Sequence, residues 1–129
     1  MWYHDLAKMK YLGIDYGRSK IGIAVSDGRL AEPYQVIRYK DFDKMIAHVK
    51  RIIEKQKIEK IVVGISEGEM AEESKKFAKI FNAETSDETL SSHDAQQMSI
   101  ESHMGRKKRK EMEDAFAASI MLQNYIDSK

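Results

Sequence analysis

The chain contains no cysteine and a single proline, Pro33, in 129 residues. Without thiols it can form neither a disulfide frame nor a cysteine-ligated zinc site, and it has no sulfur nucleophile. No apolar run approaches the roughly 18 residues that cross a bilayer. The opening residues, Met1 to Asp5, lack the basic and apolar regions of a signal peptide. These absences argue against a membrane partner and make the cytoplasm the expected compartment. An excess of one charge is missing as well: 22 Lys and Arg balance 21 Asp and Glu, for a net charge of +1.

What remains is a globular composition, 42% hydrophobic and 33% charged. The length suits one domain spanning 1–129, large enough for one core. No repeat, linker or low-complexity segment divides it. The near-neutral sum conceals a segregation of charge. Glu67 to Asp94 is rich in acids, whereas Arg106, Lys107, Lys108, Arg109 and Lys110 are five consecutive cations. Acids that hold metal ions and a basic rim that holds phosphates would give this pattern in a nuclease. Taken alone, the basic run fits a solvated loop equally well.

Hydrophobic spacing organises the chain. Tyr11 to Tyr16 and Ile21 to Ser26 read as strands joined by the turn Gly17 to Lys20, and Tyr34 to Tyr39 as a third strand that Pro33 starts. Phe42, Met45, Ile46, Val49, Ile52 and Ile53 fall at helical spacing behind Asp41 as N-cap. Ile61 to Ile65 is a short continuous apolar run, the pattern of a strand buried on both faces and parallel to the first. A second helix is expected from Met70 to Phe81, a weak fifth strand from Ala83 to Asp87, and a helix from Leu90 to about His103 that Gly105 stops. A last helix is expected from Lys110 to Ile126. This order predicts an α/β fold: a mixed five-stranded sheet, with a three-strand antiparallel meander and two parallel strands, and helices on both faces.

Three acids stand where chemistry is expected. Asp15 ends a strand that is central if the meander and the crossover pair on opposite sides of it, and such strand ends carry the sites of open α/β sheets. Gly17 leaves room for a phosphate near the backbone. Asp87 and Glu88 follow the fifth strand and point to opposite sides, so one of them can share a metal with Asp15. Asp114 begins the last helix, with the small Ala117 and Ala118 at i+3 and i+4 allowing close approach to the sheet. A turn aspartate and a dipole-stabilising aspartate are the plain structural alternatives for Asp15 and Asp114.

Three blocks of sequence resemble the YqgF/RuvX family of ribonuclease H-like proteins, Holliday junction resolvases and nucleases of ribosomal RNA precursors. Leu12 to Asp27 is similar to the family's opening hairpin, Asp87 to Ala95 to its Asp-Glu-Arg-Leu-Thr-Thr block, and Asp114 to Gln123 to its closing Asp, Ala-Ala and Gln pattern. The first block alone also resembles actin-like ATPases and sugar kinases, but those need two lobes. The resemblance implies that Asp15, Glu88 and Asp114 are the catalytic, metal-binding acids, and it selects Glu88 over Asp87. Three carboxylates brought together need compensating charge, and Mg²⁺ or Mn²⁺ suits all-oxygen ligation; two such ions, bridged by Asp15 and completed by Glu88 and Asp114, are expected to drive in-line attack on a phosphodiester.

Arg18 and the run from Arg106 to Lys110 are then the nucleic-acid contacts, with Gly17, Ser91 and Ser92 supporting. The substrate implied is structured nucleic acid, a pre-16S rRNA first and branched DNA second; a resolvase would act as a homodimer to cut two strands symmetrically. A non-catalytic nucleic-acid-binding module of the same fold is the alternative from another class. Two departures from the family pattern bear on substrate choice: Thr89 replaces the family's arginine, and the loop from Ile65 to Glu69 is short and lacks its proline. The histidines, His4, His48, His93 and His103, read as surface residues.

Overall fold

The computed structural model describes residues 9–65, 68–87 and 105–128. Five strands form one sheet in the order β3-β2-β1-β4-β5. They are β1 (Tyr11–Asp15), β2 (Lys20–Ser26), β3 (Ala31–Arg38), β4 (Lys60–Ile65) and β5 (Glu84–Asp87). β1 and β2 pair antiparallel, as do β2 and β3, whereas β1, β4 and β5 run parallel. The mixed sheet expected from the sequence is thus the one observed, and β1 is its middle strand.

Strand β3 begins at Ala31, three residues before Tyr34, so that Pro33 lies inside it instead of starting it. The sheet tolerates this because β3 is an edge strand, where a missing N–H can face away from the ladder. The register also shifts beside the proline: Ile23 pairs with Gln35 and Ala24 with Pro33. Tyr34 is left over as the extra residue of a β-bulge.

Helix α1 (Phe42–Gln56) starts as expected, with the Asp41 carboxylate accepting from the Lys44 backbone N–H at 3.1 Å. It continues to Lys57, whose left-handed conformation (φ 55°) ends it. Helix α2 spans Met70–Ile80. The expected helix from Leu90 to His103 lies outside the described residues. The basic run is helical: α3 (Arg106–Glu111) follows Gly105 as its N-cap, and α4 (Glu113–Asp127) begins after a break at Met112. The single helix expected from Lys110 is therefore two, and it begins four residues sooner.

Strand alternation sorts the core into two layers. On one face Leu12, Ile14, Ile21, Ile23 and Val63 pack with Met45, Val49 and Ile52 of α1 and Phe77 and Ala78 of α2. On the other, Ala24, Ala31 and Val62 pack with Ala118, Met121, Leu122 and Tyr125 of α4. Strand β4 contributes to both, with Val62 and Val63 each fully buried. Among the described residues no helix is long and apolar enough to cross a membrane.

Candidate active site

Alternation along β1 gives Leu12 and Ile14 to the α1 layer, so Gly13 and Asp15 belong to the face that α4 covers. A Cβ on Gly13 would stand 2.9 Å from Leu122 Cβ and 3.3 Å from the Ala118 carbonyl, which confirms the assignment. Asp15 lies in register with Gly22 of β2 on one side and Gly64 of β4 on the other. The acid at the end of the central strand therefore has no side chain beside it on either neighbouring strand at that level.

Helix α4 runs back along β1. Tyr125, near its end, meets Tyr11 at the start of β1 edge to face at 6.3 Å. Its first turn lies over the other end of the strand, where a Cβ on Gly22 would fall inside the Asp114 carbonyl. Gly22 is the residue that lets α4 descend onto the sheet here, and it is the cross-strand partner of Asp15. Asp114, Ala118, Leu122 and Tyr125 recur at i, i+4, i+8 and i+11, one stripe along the sheet-facing side. Of the two alanines expected to ease this approach, Ala118 does so; Ala117 packs instead with Phe116, Met112 and Ile120. A step of about 100° per residue turns Ala117 off the stripe.

The Asp114 carboxylate is paired with Lys20, Nζ to Oδ2 at 3.0 Å, and is 29% exposed. Lys20 opens β2 two residues before Gly22. Sequence reasoning placed Lys20 only in a turn, and the antiparallel register is what carries it to the acids. Glu88, Ser91 and Ser92 lie outside the described residues. Among those described, no three metal-ligating side chains gather; the structure brings two acids, Asp15 and Asp114, to one end of one face.

The turn between β1 and β2 is held from three sides. A Cβ on Gly17 would meet the Lys20 carbonyl at 2.5 Å, so the tightness of the turn itself needs this glycine. Tyr39 donates its hydroxyl to the Gly17 carbonyl at 2.5 Å, and its N–H to that of Ser19 at 2.9 Å. Burial, then the neighbouring Tyr16 hydroxyl and the Glu73 charge, push the Tyr39 phenol well above its ordinary pKa. Tyr16 stacks on Phe77 at 4.6 Å. Arg18 pairs with Glu73 of α2 at 3.0 Å, which raises its pKa further through that hydrogen bond and charge. Lys107, Lys108 and Lys110 are exposed on α3, next to the start of α4.

Oxygen donors from two carboxylates at a sheet end, with glycines where bulk would block them, can hold a hard cation beside a phosphodiester. Positive charge already stands beside one of them, where Lys20 pairs with Asp114.

Known proteins share this sequence and fold. The family model described as "RuvX: Holliday junction resolvase" matches residues 9–128. A "Putative pre-16S rRNA nuclease" of Halothermothrix orenii is 35% identical over 133 residues, covering 92% of this chain and 95% of the relative. One of the same name from Geobacillus sp. (strain WCH70) is 36% identical over 137 residues, covering 94% and 99%. Among solved structures, T. thermophilus RuvC in complex with Holliday junction substrate superposes with a TM-score of 0.55 at 13% identity, over 93% of this chain and 96% of that one. At that identity the likeness shows the ribonuclease H-like fold.

Proposed function

The chain belongs to the RuvX family, and we propose that it is a divalent-metal-dependent endonuclease of structured nucleic acid, with pre-16S rRNA as its substrate. Nuclease function is what the family and its relatives have in common. The observation that carries the site is the descent of α4 at Gly22, which sets Asp114 over the cross-strand neighbour of Asp15.

Asp15 and Asp114 are the ligands the described residues offer, and Glu88 is the third. Support for Glu88 over Asp87 comes from the resemblance of Asp87 to Ala95 to the family's block. Mg²⁺ or Mn²⁺, when bound by such acids, lowers the pKa of a water and stabilises the departing oxygen. The chain's own residues do the rest. Asp15, fixed by the sheet, sets the position of attack. Lys20 pairs with Asp114 and compensates its charge. Arg18 contacts a phosphate by exchanging Glu73 for it, and Arg106 to Lys110 on α3 draw in the backbone electrostatically. Gly17 supports this arrangement through the turn, with Ser91 and Ser92 as further supporting residues.

The family description supports branched DNA as the second substrate, and cutting its two strands symmetrically would call for a dimer. Cleavage of a pre-16S rRNA fragment and of a four-way DNA junction, each with Mg²⁺ or Mn²⁺, tests both, with Asp15→Asn as the control. The expected result is metal-dependent cutting of the RNA that Asp15→Asn reduces by at least about 100-fold. Cutting of the junction alone, together with a dimer in sedimentation, would favour the resolvase. Tight binding of both without cleavage would make the chain a binding module.

A further inference from the structure

Five basic side chains that are scattered in the sequence line one groove. Arg38 ends β3, Lys40 follows it, and Lys44, His48 and Arg51 stand on α1; together with Asp41 they border a groove of about 360 Å³. Lys44, His48 and Arg51 lie at i, i+4 and i+7, a single stripe of the helix. It flanks the stripe of Met45, Val49 and Ile52 that is buried against the sheet. Asp41 is the acid in the groove, and its carboxylate is engaged by the Lys44 backbone N–H. Among the described residues, none of Arg38, Lys40, Lys44 and Arg51 enters an ion pair. All four are exposed.

The groove opens at the Asp15 end of the sheet. Arg38 is the register partner of Lys20, and Tyr39 is bonded to the turn that follows Asp15. Two strand spacings and two residues separate Asp15 from Arg38, roughly 12 Å, and α1 rises about 10 Å more from Lys44 to Arg51. The cations therefore form a track that leads away from the acids on the α1 side, whereas α3 adjoins α4 on the other side. Arg38 also borders the hollow beside Glu111 and Met112 at the α3–α4 break, so the groove and the end of α3 approach each other at the β3 edge.

Cations that enter no ion pair among the described residues and spread along a track suit a ligand with repeated charges, and at about 3.4 Å per base pair the groove begins three or four pairs from the acids. We propose that this groove is a second binding site for the phosphate backbone of the nucleic acid, holding it several nucleotides away from the bond that is cut. The proposal rests on the nuclease reading for the identity of its ligand.

The test uses Asp15→Asn protein, so that binding is measured without cutting. Lys40, Lys44 and Arg51 are changed together to glutamine. Binding is followed against salt on a structured RNA with long flanks, and on the same RNA trimmed to about three pairs on each side of the cut. On the long RNA the slope of log K against log salt should fall by about 2 to 3, for three contacts at 0.7 to 0.9 each. On the trimmed RNA it should stay as before. A control with equal charge loss elsewhere, Lys50, Lys55 and Lys79 to glutamine, should leave both slopes unchanged. An unchanged slope on the long RNA, or an equal fall on the trimmed RNA or in the control, would overturn the groove. Cleavage by the wild-type protein is measured on the same RNAs. No cleavage together with the expected slope change would sink the nuclease reading and leave the groove standing, and cleavage with no slope change would do the reverse.

Discussion

Gly22 shows how a residue without chemistry can decide where chemistry happens. Its hydrogen occupies the space between β2 and the Asp114 carbonyl, and any larger side chain would collide with the helix backbone and force it to shift. Gly22→Ala is therefore expected to destabilise the protein by about 3 kcal/mol, the upper end of the usual overpacking cost. It should also depress cleavage more than the stability loss explains, because α4 must lift and carry Asp114 away. Denaturant midpoints and cleavage rates of the variant check this; a variant as stable and active as wild type would mean that α4 does not bear on the sheet at this point. The placement of Asp15 at a strand end and of Asp114 at a helix start was legible in the sequence, because a strand-terminal Asp-x-Gly and an Asp preceding Ala-Ala carry recognisable local patterns. Lys20 was not legible in its role, since its link to Asp114 depends on which strand lies beneath the last helix.

At the scale of elements, boundaries that follow local rules were readable and those set by tertiary context were not. Asp41 announces α1, and the apolar run from Ile61 announces β4. Nothing local marks the break at Met112, because lysine, arginine and glutamate suit a continuous helix. The Pro33 bulge likewise depends on β3 being an edge. Tyr39 connects two elements, the end of β3 and the turn after β1, and this clasp has a pH dependence. Its folded pKa lies above the ordinary value of 10. The stability it contributes is complete below about pH 10 and is lost as pH rises towards the folded value, where the ionised phenol can no longer donate to Gly17. Below that pH, Tyr39→Phe should cost about 1 kcal/mol, one hydrogen bond. Between about pH 10 and 11 the difference from wild type should shrink, because the unfolded chain's phenol ionises there while the folded one keeps its proton. Denaturation midpoints from about pH 8 to 11 measure it, and a constant difference across that range would show that Tyr39 does not titrate in this way.

The whole molecule is a sheet with its two halves put to different uses. The antiparallel half provides the rigid frame of turns and the groove at its edge, while the parallel half carries β4 and β5 towards the acid end. The two-face architecture followed from the order of elements in the sequence. The packing of α4 did not, although it unites residues a hundred positions apart. The central claim is that Asp15 and Asp114 form one metal-dependent site, and a double-mutant cycle on single-turnover cleavage in Mn²⁺ measures that directly. Asp15→Asn and Asp114→Asn should each slow cleavage by at least about 100-fold, and the double variant should be no slower than the worse single, as for groups that act as a unit. Either single variant cutting at the wild-type rate, or losses that multiply in the double, would contradict it.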